Sequence, residues 1–320
     1  MTVNTVLGPI DPADLGVVAV HEALLSIVPG AQYAYDITID RAEIFEALAA
    51  KLAAFKAAGG GTVVDRTGMF HGRDVRLYQS LSRATGVHIV ASTGMGPEEN
   101  LGGYFLTPQT NPPTPWPAER FADLFAAEVT EGMVIPRVER RGAAGLIVTT
   151  VTDAGMTPTD ESLLRGAARA ARATGVALSF GAVADPVRAL EIALEEQLPA
   201  DRIVVVGLDR SGADGVAQEI AERGAYVAVD HVGWAEGSGY LSDADRVALV
   251  VALIDAGHAA RIVLSASAVG VAKGHPDVDA PYTAVLDGFV PQLRAAGVGD
   301  EDIDRLLVVN PRDLLTVKEN

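Results

Sequence analysis

The run Thr159-Asp-Glu-Ser-Leu-Leu-Arg-Gly-Ala-Ala-Arg-Ala-Ala-Arg-Ala-Thr-Gly-Val-Ala-Leu-Ser-Phe180 contains, in order, a helix, its stop and a strand. Thr159-Asp160-Glu161 supplies a cap and acids for the first turn, and a helical pattern continues to Thr174. Gly175 then provides the left-handed turn that ends a helix and leads into a strand. Val176 to Phe180 is short and almost wholly apolar, which suits a parallel strand buried on both faces. The same unit recurs along the chain. Strands are expected at Leu15 to Val20, Thr62 to Asp65, His88 to Thr93, Gly145 to Thr149, Val176 to Phe180, Arg202 to Gly207, Tyr226 to Asp230 and Arg261 to Ser265. Helices are expected between them, among others at Asp40 to Ala58, Arg73 to Thr85, Pro186 to Glu196 and Asp243 to Ala256. Eight strands alternating with eight helices make an α/β fold, a single (β/α)8 TIM barrel spanning residues 1–320 as one domain. A doubly wound open sheet would want a Gly-x-Gly-x-x-Gly turn after an early strand, and Gly59-Gly60-Gly61 comes before a strand instead. The loop Gly94 to Ala118, with Tyr104, Phe105, Trp116 and six prolines, leaves the face where barrels do chemistry. It reads either as a pocket wall or as a proline-stiffened surface loop.

Composition narrows the partners. At 49% hydrophobic the chain can bury a large core, and its net charge of −17 argues against nucleic acid and anionic membranes. It has no cysteine, so disulfides, thiolate nucleophiles and cysteine-held zinc are excluded. The longest apolar run, Val247 to Ile254, is too short to span a bilayer. No basic leader followed by an apolar core opens the chain, so the cytoplasm is the expected location.

Several segments carry a family likeness in order and at matching spacing. They are Thr5 to Pro12 with Val18-Ala-Val-His-Glu-Ala23, Gly60-Gly-Thr-Val-Val-Asp65, Gly72-Arg73-Asp74, and Leu81 to Val90 with Thr93-Gly94. Leu164 to Gly175, Gly224-Ala-Tyr-Val-Ala-Val-Asp230, and Asn310-Pro311 with Leu314-Leu315 complete them. With these the chain resembles the phosphotriesterase and lactonase branch of the amidohydrolase superfamily. The resemblance implies a TIM barrel with two divalent ions and a bridging hydroxide as nucleophile. It implies ligands from a His-x-His pair on strand one, a carboxylated lysine on strand four, histidines after strands five and six, and an aspartate after strand eight. Carried onto this chain, the first histidine is His21 and the second is Ala23. The lysine position falls on Val148, the two later histidines on Gly181 and Gly207, and the aspartate on Ser267. No histidine occurs between His88 and His231. Zinc-type ions need three or four converging donors, so no metal and no other cofactor is expected. Barrels of this family often pair, so a homodimer is an expected assembly.

The emptied mouth still offers chemistry. His21, beside Glu22, is a candidate general acid or base, or else a retained histidine held inside the mouth. Asp65 and Asp230 close strands two and seven, and serve either as proton carriers in a dry pocket or as supports of the rim. His231 stands where the resembled family commonly shows arginine, and is a catalytic candidate or a loop residue. A replacement metal site built from His21, Asp65, Asp230 and His231 is the remaining route to an ion. Gly181, Gly207 and Ser267 open space for a ligand. Ser265 and Ser267 lack a Gly-x-Ser-x-Gly elbow, which leaves ligand hydrogen bonding as their role. Trp234 and Tyr240, flanking Glu236-Gly-Ser-Gly239, either close over an apolar ligand or pack their loop. Lys273 is a candidate partner for a phosphate or carboxylate, and His275 lies near it. Asp209 and Arg210 read as structural ion pairs, while His71, His88 and His258 are assigned no chemistry. The leading expectation is a metal-independent enzyme that handles a small organic molecule by proton transfer, elimination, cyclisation or ester- or lactone-like hydrolysis. The alternatives are a non-catalytic binding or regulatory barrel, and a metal-dependent hydrolase with relocated ligands.

Overall fold

In a computed structural model the apolar runs become a parallel sheet that curls and closes on itself. The structure describes residues 1–320 except 32–33, 101–105, 108–113, 136–138, 152–153, 183, 214, 235–237, 277–279 and 319–320. Tyr104, Phe105, Glu236 and Gly237 thus lie outside the described residues. The strands are β1 (Val17–Ile27), β2 (Gly60–Asp65), β3 (His88–Gly94), β4 (Leu146–Val151), β5 (Ala177–Ala182), β6 (Ile203–Val206), β7 (Tyr226–Val229), β8 (Ile262–Leu264) and β9 (Val269–Lys273). Neighbours in the chain are neighbours in the sheet from β1 to β8. β8 pairs with β7 and its continuation β9 pairs with β1, so residues 265–268 carry the ring across its seam.

The outer helices are α1 (Arg41–Ala57), α2 (Val75–Thr85), α3 (Ala118–Thr130), α4 (Pro158–Thr174), α5 (Pro186–Glu195), α6 (Val216–Glu222), α7 (Asp243–Asp255) and α8 (Val290–Ala295). The cap of α4 lies two residues before the position expected from Thr159. Thr157 caps it in a reciprocal box with Asp160, because Pro158 suits the first helical position and needs no N–H partner. Gly86 and Gly175 end α2 and α4 in the left-handed conformation, at φ 67° and 76°. Trp116, from the proline-rich loop, packs against the helical layer and its carbonyl accepts a hydrogen bond from Ser162.

Period-two alternation divides each strand between two cores. One face packs under the helices. The other fills the lumen with Val18, Val20, Val64, Val90, Leu146, Ala177, Val204, Ala228 and Val263. Val3, Leu15, Leu314 and Leu315 plug its lower end. Two residues further along the lumen-facing rows come Arg66, Val148, Ser179, Val206 and Asp230, and these line a cavity of about 360 Å³ at the C-terminal mouth. The aliphatic floor is therefore what raises the polar residues to the rim.

Candidate active site

The first strand does not end at Val20, as its apolar run suggests; it continues through His21, Glu22 and Ala23 to Ile27. Ala19 pairs with Val63 and Glu22 with Asp65, so three steps on β1 oppose two on β2. This bulge reverses the strand's parity. Val18 and Val20 face the lumen below it, and His21 and Ala23 face the mouth above it. Glu22 is turned into the barrel wall. Its carboxylate accepts from Ser265 Oγ at 2.6 Å and from the backbone N–H groups of Ala266 and Ala268 at 3.0 and 2.5 Å. Burial pushes its pKa up to about 7, against those hydrogen bonds. Glu22 thus clamps the seam between β8 and β9, and Ser265 completes the clamp by donating to Glu22 while accepting from the His21 N–H at 2.9 Å.

His21 Nε2 lies 3.5 Å from Asp230 Oδ2. Its Nδ1 is buried without a partner among the described residues. Burial first, then the positive charge of Arg66 and the nearby His231, hold this imidazole well below its ordinary pKa, so it is neutral at neutral pH. Asp230 sits at the head of β7. Its Oδ1 accepts from the Gly207 N–H at 2.8 Å and its Oδ2 accepts from Ser267 Oγ at 3.3 Å. Burial raises its pKa, with His231 and Arg66 opposing. Gly207 takes φ 72° here, a conformation that residues with a Cβ resist.

His231 is held from behind. Its Nδ1 lies 2.8 Å from Asp209 Oδ1, and its N–H donates to Asp209 Oδ2 at 2.9 Å. Asp209 also accepts from Arg246 Nε at 2.7 Å, and both of those side chains are fully buried. Burial alone would raise Asp209, but the bonds from His231 and Arg246 hold it below the usual range. Tyr240 stacks on the His231 ring at 3.5 Å and Trp234 meets it edge-on at 4.8 Å. Trp234 Nε1 donates to the Ala266 carbonyl at 2.7 Å. The result is a fixed aromatic wall.

Of the residues singled out from the sequence, His21, Asp230, His231, Gly181, Gly207, Ser267, Trp234 and Tyr240 all line this one cavity. Asp65 and Lys273 do not. The Asp65 carboxylate is bound under the rim, accepting from the Leu24 N–H, from the N–H and hydroxyl of Thr67, and from Tyr78 Oη at 3.0 Å. Its four donors make it a brace, because the bulge sets Leu24 directly over it. Lys273 ends β9, where its carbonyl accepts from the Val28 N–H, and His275 contacts Ser26 Oγ at 2.8 Å. Three titratable lining residues have no role in the sequence reading that matches their place. Arg66 follows Val64 on the lumen row, a position legible from the alternation alone. His71, assigned no chemistry from sequence, lines the cavity. Arg210 makes no ion pair among the described residues; it donates to Tyr240 Oη at 3.0 Å and lies 4.8 Å from that ring.

The positions that the resemblance assigns to metal ligands, His21, Ala23, Val148, Gly181, Gly207 and Ser267, all border the cavity. Only His21 carries a strong donor. Separately, Asp209, Asp230 and His231 each bring one potential ligand atom within 4.8 Å of the others. Both Asp209 oxygens in that trio are already engaged by His231 and Arg246.

A family model described as "Phosphotriesterase family" matches residues 1–315. A "Phosphotriesterase homology protein" of Mycobacterium tuberculosis is 30% identical, over 97% of this chain and 96% of that one. An N-acetyltaurine hydrolase of Xenopus tropicalis is 24% identical over 99% and 98% of the two chains. Among solved structures, a variant of a Deinococcus radiodurans PTE-like lactonase superposes with a TM-score of 0.86 at 25% identity, covering 98% of this chain and 100% of that one.

Proposed function

This chain belongs to the phosphotriesterase family, and we propose that within it the chain is a metal-independent enzyme acting on a small organic molecule in the barrel mouth. The observation that carries the reading is His21: a neutral, largely buried imidazole on the cavity wall, with a buried and unpartnered Nδ1 and with Asp230 3.5 Å from its other nitrogen. That is the arrangement of a general base backed by a carboxylate. His21 takes a proton from a substrate C–H or from an attacking water, and Asp230 stabilises the imidazolium that forms. His231, aligned by Asp209, gives a proton of its own to the departing group, and exchange with water then resets both rings. The hydrolytic names of the relatives favour cleavage of an ester, lactone or amide bond over elimination or cyclisation.

The donor set supports the absence of the family's two-ion centre. Ala23, Val148, Gly181 and Gly207 offer no side-chain ligand, and the Arg66 guanidinium, which has no carboxylate partner among the described residues, opposes added cations. We take residues 1–320 as one cytoplasmic domain, with a small molecule as its partner and a homodimer as its assembly. Among the described residues no helix is long and apolar enough to cross a membrane.

A second reading rests on the Asp209–Asp230–His231 trio, which one divalent ion could bridge if the bonds to Asp209 gave way. Elemental analysis and turnover of lactones, aryl esters and N-acyl amino acids, with chelator and with added zinc or manganese, separate the two. Chelator-resistant turnover that falls about a hundredfold or more in His21→Ala is expected. A stoichiometric ion required for turnover would transfer the function to the trio, and no turnover of any substrate would leave a binding barrel.

A further inference from the structure

Most arginines that reach into the interior of this protein are spoken for. Arg73 pairs with Glu128 at 2.6 Å, Arg246 with Asp209 and Asp243, and Arg202 donates to the carbonyls of Gly175 and Asp313. Arg66 differs. Its backbone N–H is fixed to the Glu22 carbonyl at 2.8 Å, directly beside the β1 bulge. Its side chain enters the cavity, has no hydrogen bond or ion pair among the described residues, and carries a buried, unpartnered Nε.

It is not alone. Eight buried side-chain polar atoms lack a partner among the described residues, and five of them belong to residues that line this one cavity: His21, Arg66, His71, Thr149 and Arg210. Unsatisfied buried polar groups are costly, and a cluster of them marks a place built to receive polar atoms. Four of the five are nitrogens of arginine or histidine. Opposite them stands one carboxylate, Asp230, the sole acid among the described lining residues. This local excess of positive charge sits in a chain whose net charge is −17. An acidic surface repels anions at long range, so a cationic pocket within it is a specific device.

We propose that the cavity binds a small organic anion, with the Arg66 guanidinium as its main partner and Arg210 as a flanking charge. The inference rests on the reading of this mouth as a substrate site and names the class of substrate. Guanidinium presents a planar fork that matches a carboxylate and also pairs with sulfonate and phosphate oxygens. The volume of about 360 Å³ holds a metabolite-sized molecule. Met95, Trp234 and Tyr240 give its carbon skeleton an apolar wall. Arg210 is pre-set for its part by Tyr240, through a hydrogen bond and ring contact.

The test measures binding, not turnover, so it is independent of the reaction. Chelator-treated protein is titrated calorimetrically with benzoate, benzenesulfonate and phenyl phosphate, and with neutral benzamide as the uncharged counterpart of benzoate. At least one anion should bind about tenfold or more tightly than benzamide. Arg66→Met should weaken that anion by about tenfold to a hundredfold, the usual worth of a charged hydrogen bond, and leave benzamide unchanged. Arg210→Met should have a smaller effect in the same direction, and Arg66→Lys should retain part of the preference. Which anion binds tightest distinguishes planar from tetrahedral head groups. Should Arg66→Met fail to fold, as judged by circular dichroism, Arg66→Gln carries the same comparison. Equal binding of benzoate and benzamide with no gain for the other anions, no saturable anion binding, or anion binding indifferent to loss of the Arg66 charge would each overturn the proposal. A metal requirement for turnover would instead defeat the reading of the mechanism and leave this result standing.

Discussion

Replacing Glu22 by Gln should change how the barrel's stability depends on pH, in a direction fixed by the site. The carboxyl is fully buried at the seam between β8 and β9, and burial lifts its pKa from 4.5 to about 7. A carboxyl with a raised pKa binds its proton more tightly folded than unfolded. Its contribution is therefore fully present below pH 4.5 and is lost as pH climbs through 7. The size of the shift corresponds to roughly 3 kcal/mol. The amide of the variant cannot titrate, so the pH-dependent part disappears. Its NH2 also cannot accept from Ala266 or Ala268 as a carboxylate oxygen does, which adds a pH-independent loss on the order of 1–3 kcal/mol. Equilibrium urea unfolding of wild type and Glu22→Gln, at steps from about pH 4.5 to about pH 8, isolates the effect. Asp65 and Asp230 titrate in both proteins and cancel in the difference unless they couple to Glu22. The stability gap between the two proteins should be largest near pH 4.5 and shrink by about 3 kcal/mol by about pH 8. A gap that stays constant across the range would refute the raised pKa, and with it the picture of Glu22 as a dry clamp.

Asp209→Asn should lower stability by on the order of 1–3 kcal/mol, since it takes from the fully buried Arg246 one of its two carboxylate partners and leaves Asp243 alone to hold it; a melting shift no larger than that of a surface substitution would contradict this. The same variant should impair turnover at the step that needs His231, because the ring has a neutral amide in place of a carboxylate at its Nδ1, and substrate pH profiles would report it. Gly207→Ala forces a side chain onto φ 72° and should cost on the order of 1 kcal/mol. It should also loosen the N–H donated to Asp230, moving the acid limb of the rate profile; an unchanged melting curve and profile would show that the backbone there is free to adjust.

Much of the scaffold was legible from period and punctuation. Buried parallel strands leave long runs such as Ile203-Val-Val-Val206, and helices leave caps such as Ser242, whose hydroxyl accepts from the Asp245 N–H. The positions that the resemblance assigns to metal ligands could likewise be placed at the mouth, since Gly181 and Gly207 border the cavity. Other features could not be read this way. A bulge carries no residue signature in Val18-Ala-Val-His-Glu-Ala23, yet it decides that His21 faces the mouth and Glu22 the wall. The role of Asp65 depends on that same bulge, through the Leu24 N–H at 2.7 Å. Arg66 is the opposite case, because counting two residues on from Val64 along the lumen row reaches it directly.

The bulge also explains why acid–base chemistry and charge recognition would share one rim. On an unbulged β1, His21 would follow Ala19 toward the helices, and Glu22 would enter the mouth as a second carboxylate beside Asp230. The cavity would then be close to neutral, and Arg66 would find an ion-pair partner at once. With the extra residue inserted, Glu22 is spent on the seam and its backbone carbonyl anchors Arg66. A neutral imidazole takes the place of an anion on the cavity wall. Deleting Val20, which restores regular pairing between β1 and β2 while keeping Glu22 opposite Asp65, should leave Glu22 in the wall, shift His21 onto the lumen row in place of Val20, and leave Arg66 without an ion-pair partner. A folded deletion variant that still prefers benzoate to benzamide, read by calorimetry and circular dichroism, is the expected outcome; loss of that preference in a folded variant would show that the parity of β1 does not keep Glu22 away from Arg66.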